Sequence, residues 1–207
     1  SRRLQDYAER MGFNGALLFL DRGKAFDQVD RKLLIIALRT YGIPDKPLNL
    51  VKAMYKNPTF KVTIDKVDSP WMPQQTGIRQ GCPLSPYTFI LVMYLLFRIV
   101  NKDIRTQMGE DFETFRGHDI KFTEILFADD TLLFATDGES MNQLLHAVEH
   151  VSGLFGPMLN RSKCVVVNLK RICPIAFENG ELIKEVAQAT YLGVAMSKDA
   201  DSDKEVQ

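Results

Sequence analysis

Apolar and polar positions along this chain follow two periods, and the switches between them divide it into strands and helices. Ala16–Leu20 is an unbroken apolar run stopped by Asp21, the pattern of a buried strand. From Asp30, whose carboxylate can cap a helix, Leu33, Ala37 and Tyr41 recur at helical spacing until Gly42 and Pro44 end it. A second helix, capped by Asp45, carries Leu48, Val51 and Tyr55. Residues 59–64 alternate in a β-rich stretch, with a hairpin partner expected near 70–76. Residues 84–104 predict a long core helix. Residues 120–127 and 132–135 predict a second hairpin across an Asp-Asp turn. Met141, Leu144, Leu145, Val148 and Val151 then mark an amphipathic helix over 140–155, behind a Ser140-x-x-Gln143 capping signal. Residues 163–169 and 190–194 read as further strands, 2–11 as the end of a helix, and the acidic, apolar-poor stretch after 196 as a frayed tail. Strands interleaved with helices and joined by hairpins predict an α+β fold, an antiparallel sheet backed by helices. The expected organisation is one domain over 1–196 followed by an acidic, disordered tail over 197–207.

Composition narrows this picture. A chain of 207 residues with 45% apolar and 25% charged residues can bury a sizeable globular core. Its longest apolar run, 87–100, contains Arg98 and is too short to span a bilayer, so no membrane partner is expected. The opening lacks the pattern of a signal peptide, and Ser1 in place of Met suggests an excised segment. Cys82, Cys164 and Cys173 form no CxxC pair. With no secretory signal they indicate an intracellular, reducing compartment, nuclear or cytoplasmic, and the Asn160-Arg161-Ser162 glycosylation pattern is discounted. The net charge is zero, which counts mildly against a nucleic-acid enzyme. Between Arg22 and Lys66, however, ten Lys or Arg stand against four Asp. That excess suits a phosphate backbone as well as it suits a solvated helix surface.

The chemistry lies in the carboxylates. Asp21 ends one apolar run, and Asp129 and Asp130 sit between two others, in Phe127-Ala128-Asp129-Asp130. An aspartate at a strand end is commonly only a turn former. Three that converge on rigid backbone can hold a pair of divalent metals, the requirement for phosphoryl and nucleotidyl transfer. The apolar flanks of both segments favour that reading, although alternation turns Asp130 partly away. A competing pattern, His146-Ala147-Val148-Glu149-His150, matches the H-x-x-E-H signature of zinc proteases. Both histidines fall off the apolar stripe of their helix, toward solvent, and no distant third ligand stands out.

Five segments in order resemble the reverse transcriptases of non-LTR retrotransposons (the LINE-like type) and group II introns. Leu20-Asp21-Arg22-Gly23-Lys24-Ala25-Phe26-Asp27 resembles their first catalytic motif, and Gly77-Ile78-Arg79-Gln80-Gly81-Cys82-Pro83-Leu84-Ser85-Pro86 their Gly-x-x-Gln-Gly-x-x-x-Ser-Pro motif. Phe127 to Asp130 is similar to their Tyr/Phe-Ala-Asp-Asp box. Gly156 to Cys164 is similar to a Gly-x-x-Leu-Asn-x-x-Lys segment, and Tyr191-Leu192-Gly193 to the closing primer grip. The phenylalanine of the box and the Ala-Phe-Asp run favour the non-LTR branch, while Arg22-Gly23 departs from the bulkier residues of that position.

The resemblance implies an RNA-directed DNA polymerase, a palm with partial fingers and no thumb. Its cofactors would be two Mg²⁺ ions, with Mn²⁺ able to substitute, and its partners an RNA or DNA template with primer and deoxynucleoside triphosphates. Asp21, Asp129, Asp130 and the backbone carbonyl of Arg22 would bind the metals. Phe26 would exclude the ribose 2′-hydroxyl, and Arg22, Arg79, Gln80 and Gly81 would meet the nucleotide. Lys163 would lie near the pyrophosphate leaving group as a general acid, and Tyr191, Leu192 and Gly193 would hold the primer. The alternative is a decayed element or scaffold palm that binds nucleic acid without catalysis. On this reading the bare 207-residue chain extends a primer weakly or not at all, because further fingers and a thumb normally supply much of the positioning.

Overall fold

A computed structural model describes residues 15–108, 115–117, 120–122, 124–169 and 173–197. The helix expected over 2–11 and the acidic tail beyond Ser197 lie outside these residues. The chain folds as two compact units, one of residues 1–23, 99–151 and 159–207, the other of 24–98 and 152–158.

The first unit is built on a five-stranded sheet ordered Lys184–Glu185, Val165–Asn168, Ala16–Leu20, Asp130–Ala135, Glu124–Phe127. All neighbours run antiparallel except the Lys184–Glu185 strand, which is parallel to Val165–Asn168. Ala16–Leu20 is central and buried at every position, which is why its sequence is unbroken rather than alternating. One face carries Leu17, Phe19, Leu132, Phe134 and Val167, packed with Tyr191 and Met196 of the hairpin formed by Gln188–Tyr191 and Val194–Ser197. In the Gly138–Phe155 helix, the predicted stripe of Met141, Leu144, Leu145, Val148 and Val151 is buried throughout. Each such side chain contributes about 1.5–3 kcal/mol of burial.

The second unit holds the helices Ala25–Gln28, Arg31–Thr40 and Asp45–Met54 and the first part of Ser85–Met108. Thr59–Phe60 pairs with Met72–Pro73 as expected, but Thr63–Ile64 turns back on Val67–Asp68 to make a separate small hairpin. The strand read over 59–64 is therefore two short ones, all exposed.

Several boundaries differ for local reasons. Asp30 caps its helix by accepting from the Leu33 amide at 2.9 Å, yet the buried face is Leu34, Ala37 and Leu38, rotated from the predicted Leu33/Ala37/Tyr41 stripe. Pro44, not Asp45, is the N-cap of the next helix; Asp45 lies in its first turn, where a negative charge suits the helix dipole. Likewise Asp137, not Ser140, caps Gly138–Phe155, its carboxylate accepting from the Ser140 amide at 2.8 Å and the Ser140 hydroxyl at 2.6 Å. The hairpin strand before the Asp-Asp turn is Glu124–Phe127, because Ile120–Phe122 pairs instead with Phe115–Gly117. The 163–169 strand begins only at Val165, after a 3₁₀ turn over Arg161–Lys163, and 190–194 contains a turn rather than a continuous strand. Among the described residues no helix is long and apolar enough to cross a membrane, and Cys82, Cys164 and Cys173 are unbridged.

Candidate active site

Sheet register brings the three aspartates to one end of the first unit. Leu20 pairs with Thr131, so continuing that antiparallel ladder by one step sets Asp21 opposite Asp130. Asp130 itself opens the next strand, paired with Phe127, and Ala128-Asp129 form the intervening turn. Ala128 holds φ 54°, a left-handed conformation costly for a residue with a Cβ. Asp130 is exposed and Asp21 and Asp129 half-buried. Although the residue is exposed overall, partial loss of solvation raises the Asp130 carboxyl above its ordinary value, and the nearby charges of Asp129 and Asp21 raise it further.

The 159–164 segment lies along the same strand end. Leu159 bridges Arg22, and the Asn160 amide donates to the Asp21 carbonyl at 2.9 Å. Lys163 Nζ stands 3.8 Å from Asp21 Oδ2, a loose and exposed ion pair. Arg22 is 3% exposed, so its guanidinium is withheld from any nucleotide and only its backbone could face one. Burial lowers its pKa to about 10, against the charges of Cys164 and Asp129, which hold it up; burial likewise pushes the Cys164 thiol up to about 11.

Among the described residues, no three His, Cys, Asp or Glu side chains stand in the close arrangement of a formed metal site. The aspartates lie near enough to disturb one another's charge without converging that far. Their donors, carboxylate oxygens beside backbone carbonyls, are hard ligands that suit Mg²⁺ or Mn²⁺ better than zinc. The zinc-protease pattern dissolves in the structure. His146 is half-buried and contacts the Ala176 carbonyl at 2.9 Å rather than facing solvent, while Glu149 accepts from Arg161 at 3.0 Å and from the Glu178 amide at 2.8 Å.

Phe26, Arg79, Gln80 and Gly81 belong to the second unit. Lys24, at φ 52°, starts the one-turn helix that carries Phe26, whose ring stacks on buried Phe89 with centroids 4.5 Å apart and planes 13° from parallel. The Ile78 amide donates to the Phe26 carbonyl at 2.8 Å, and Gln80 Nε2 to Asp27 Oδ1 at 3.1 Å. Arg79 and Gln80 are exposed, and Gly81 turns at φ 82°. Arg31, counted above with the basic stretch, spends its guanidinium on the carbonyls of Gln74, Thr76 and Gly77 at 2.7–2.9 Å. Sequence reading missed Asp27, Arg31 and Phe89 as parts of this arrangement; only the Ala-Phe-Asp run hinted at Asp27.

Tyr191, Leu192 and Gly193 occupy the turn of the closing hairpin. Leu192 at φ 52° and Gly193 at φ 76° are both left-handed, the requirement of a two-residue type I′ turn. Tyr191 is buried against Phe19 and donates its hydroxyl to the Ile125 carbonyl at 3.1 Å, whereas Leu192 is exposed.

Residues 2–196 match the family described as reverse transcriptase (RNA-dependent DNA polymerase). The Pol polyprotein of the type-1 retrotransposable element R2 of Nasonia vitripennis is 30% identical over 68% of this chain and 13% of its own length. That of the type-2 element R2DM of Drosophila melanogaster is 30% identical over 73% of the chain and 13% of its own. This chain thus spans only about an eighth of these relatives. Among solved structures, telomerase from Candida albicans, in complex with a fragment of telomeric RNA, superposes with a TM-score of 0.63 at 14% identity, over 95% of this chain and 31% of that one. At that identity the likeness speaks for the fold.

Proposed function

Because this chain belongs to the reverse transcriptase (RNA-dependent DNA polymerase) family, in its non-LTR retrotransposon branch, we propose that it forms the palm and part of the fingers of an RNA-directed DNA polymerase. The observation that carries the reading is the meeting of Asp21, Asp129 and Asp130 at neighbouring strand ends of one sheet. Asp21 and Asp129, with Asp130 beside them, would hold divalent ions. When bound, such ions would supply stabilisation of the charge that develops in an in-line displacement. The polypeptide supplies the rest. A buried central strand gives the carboxylates a rigid mount, so little reorganisation is needed as charge develops. Lys163, loosely paired with Asp21 at 3.8 Å and exposed, is free to swing toward the pyrophosphate leaving group and protonate or neutralise it. Phe26, braced by Phe89, excludes the ribose 2′-hydroxyl. Arg79, Gln80 and Gly81 receive the nucleotide, and the turn at Tyr191, Leu192 and Gly193 supports the primer end. An RNA or DNA template, a primer and deoxynucleoside triphosphates complete the reaction.

The test is addition of dTMP to oligo(dT) annealed to poly(rA), with MgCl₂ or MnCl₂, by the longest product of the gene that carries residues 1–207. Metal-dependent addition that Asp129→Ala reduces by roughly a thousandfold or more supports the proposal. Template binding without metal-dependent addition, or addition that survives Asp129→Ala, identifies a scaffold palm instead.

A further inference from the structure

Gln80 carries a carboxamide, and an amide can present either end to a ligand unless something fixes it. Here Nε2 donates to Asp27 Oδ1 at 3.1 Å, across 53 residues of chain. A carboxylate only accepts, so this contact sets the orientation: Nε2 faces Asp27, and Oε1 stays at the other end. The mount of Asp27 is fixed on both sides. Its amide donates to the Lys24 carbonyl at 2.9 Å, and its own carbonyl accepts from the Thr76 hydroxyl at 2.9 Å. The flanking residues are tied as well, Phe26 O to the Ile78 amide at 2.8 Å and Val29 O to the Gly77 amide at 2.9 Å. Gly77 makes this approach possible, since a Cβ there would lie 2.6 Å from the Asp27 carbonyl oxygen. Arg31 then ties down the facing segment by donating to the carbonyls of Gln74, Thr76 and Gly77.

We propose that Asp27 is a positioning residue: it presets the Gln80 carboxamide so that Oε1 and one remaining N–H meet the incoming deoxynucleotide without a search over orientations. The inference rests on the nucleotide-binding role proposed above for Gln80. Its energetic logic is preorganisation, in which the ordering cost of a contact is met before the ligand arrives.

The experiment is a double-mutant cycle with the same poly(rA)·oligo(dT) template-primer and dTTP, on the full chain described above. Asp27→Asn keeps the shape but lets the Gln80 amide flip, so KM for dTTP rises roughly fivefold to tenfold while kcat changes less than about twofold. In a Gln80→Ala background the same substitution changes KM by less than about twofold, because the group it positions is gone. Asp27→Glu, which keeps the charge and shifts the oxygens, gives a second entry into the cycle should Asn at this position lower the melting temperature. Effects of Asp27 and Gln80 substitutions that simply multiply, or a kcat loss with KM unchanged, overturn the positioning role while leaving the polymerase reading intact. Loss of the polymerase reading itself shows separately, as dTMP addition indifferent to Asp129→Ala, and removes this inference with it.

Discussion

Tyr191 shows how one side chain can serve packing and titration together. Its ring fills the cluster on the sheet face, and its hydroxyl reaches the Ile125 carbonyl. Burial, assisted by the charge of Asp130, raises the phenol to about 12 from an ordinary 10.0. Below pH 10 both folded and unfolded forms keep the proton and the full contribution is present; it is lost as pH rises through the folded value. Tyr191→Phe should cost about 1 kcal/mol at pH 7 by urea denaturation, and that difference should shrink between pH 10 and 12. A difference flat across that range would mean that folding leaves the titration of this hydroxyl unshifted. Phe26 makes a complementary prediction in function. Phe26→Ala removes the ring stacked on Phe89 and should raise ribonucleotide incorporation relative to deoxynucleotide by at least about tenfold, an unchanged ratio leaving Phe26 as packing only. The carboxylates were legible because Asp21 stops an apolar run and Asp129 and Asp130 sit between two others, a pattern that puts all three at strand ends. Asp27, Arg31 and Phe89 were not, because their partners lie far along the chain and no periodicity announces them.

At the scale of elements, apolar period located the long helices and the central strand among the described residues, since those patterns are the burial itself. It failed at ends, where a single hydrogen bond decides. Ser140 fits a capping box by spacing, but the Asp137 carboxylate, a stronger acceptor three residues earlier, takes that amide. Asp137→Ala should therefore destabilise the first unit by about 1 kcal/mol, whereas Gln143→Ala should be near neutral by the same denaturation measurement. Strand pairing was similarly ambiguous in short exposed segments, which lack a buried face to fix register, as the two small hairpins between Thr59 and Pro73 show. Gly77 is different in kind. At φ 84°, with the Asp27 backbone where a Cβ would go, Gly77→Ala should cost more than about 2 kcal/mol and separate the segments that carry Phe26 and Gln80. Thermal melting checks the first effect, and loss of dTTP affinity checks the second.

For the molecule as a whole, a site of like charges sets stability against function. Asp21, Asp129 and Asp130 gather at one end of the sheet, and the Asp130 carboxyl, raised first by loss of solvation, is raised further by the charges of Asp129 and Asp21. Exposure and screening keep that cost below about 1 kcal/mol. Asp130→Asn should accordingly melt slightly higher than the native chain at pH 7 in metal-free buffer. Divalent cations should reverse the order, because a ligand that binds only the folded form adds RT ln(1 + [L]/Kd), about 1.4 kcal/mol at ten times Kd. Titrating MnCl₂ should raise the native melting temperature by several degrees, raise Asp130→Asn less, and leave Asp129→Ala nearly unmoved, while MgCl₂ acts at higher concentration. CaCl₂ and NaCl at matched ionic strength separate specific binding from screening. The expected crossing of the native and Asp130→Asn curves needs no catalytic turnover to observe. If manganese shifts native chain and Asp129→Ala equally, the aspartates at the sheet end are turn residues after all, and the two-ion chemistry proposed for them has no seat in this fold.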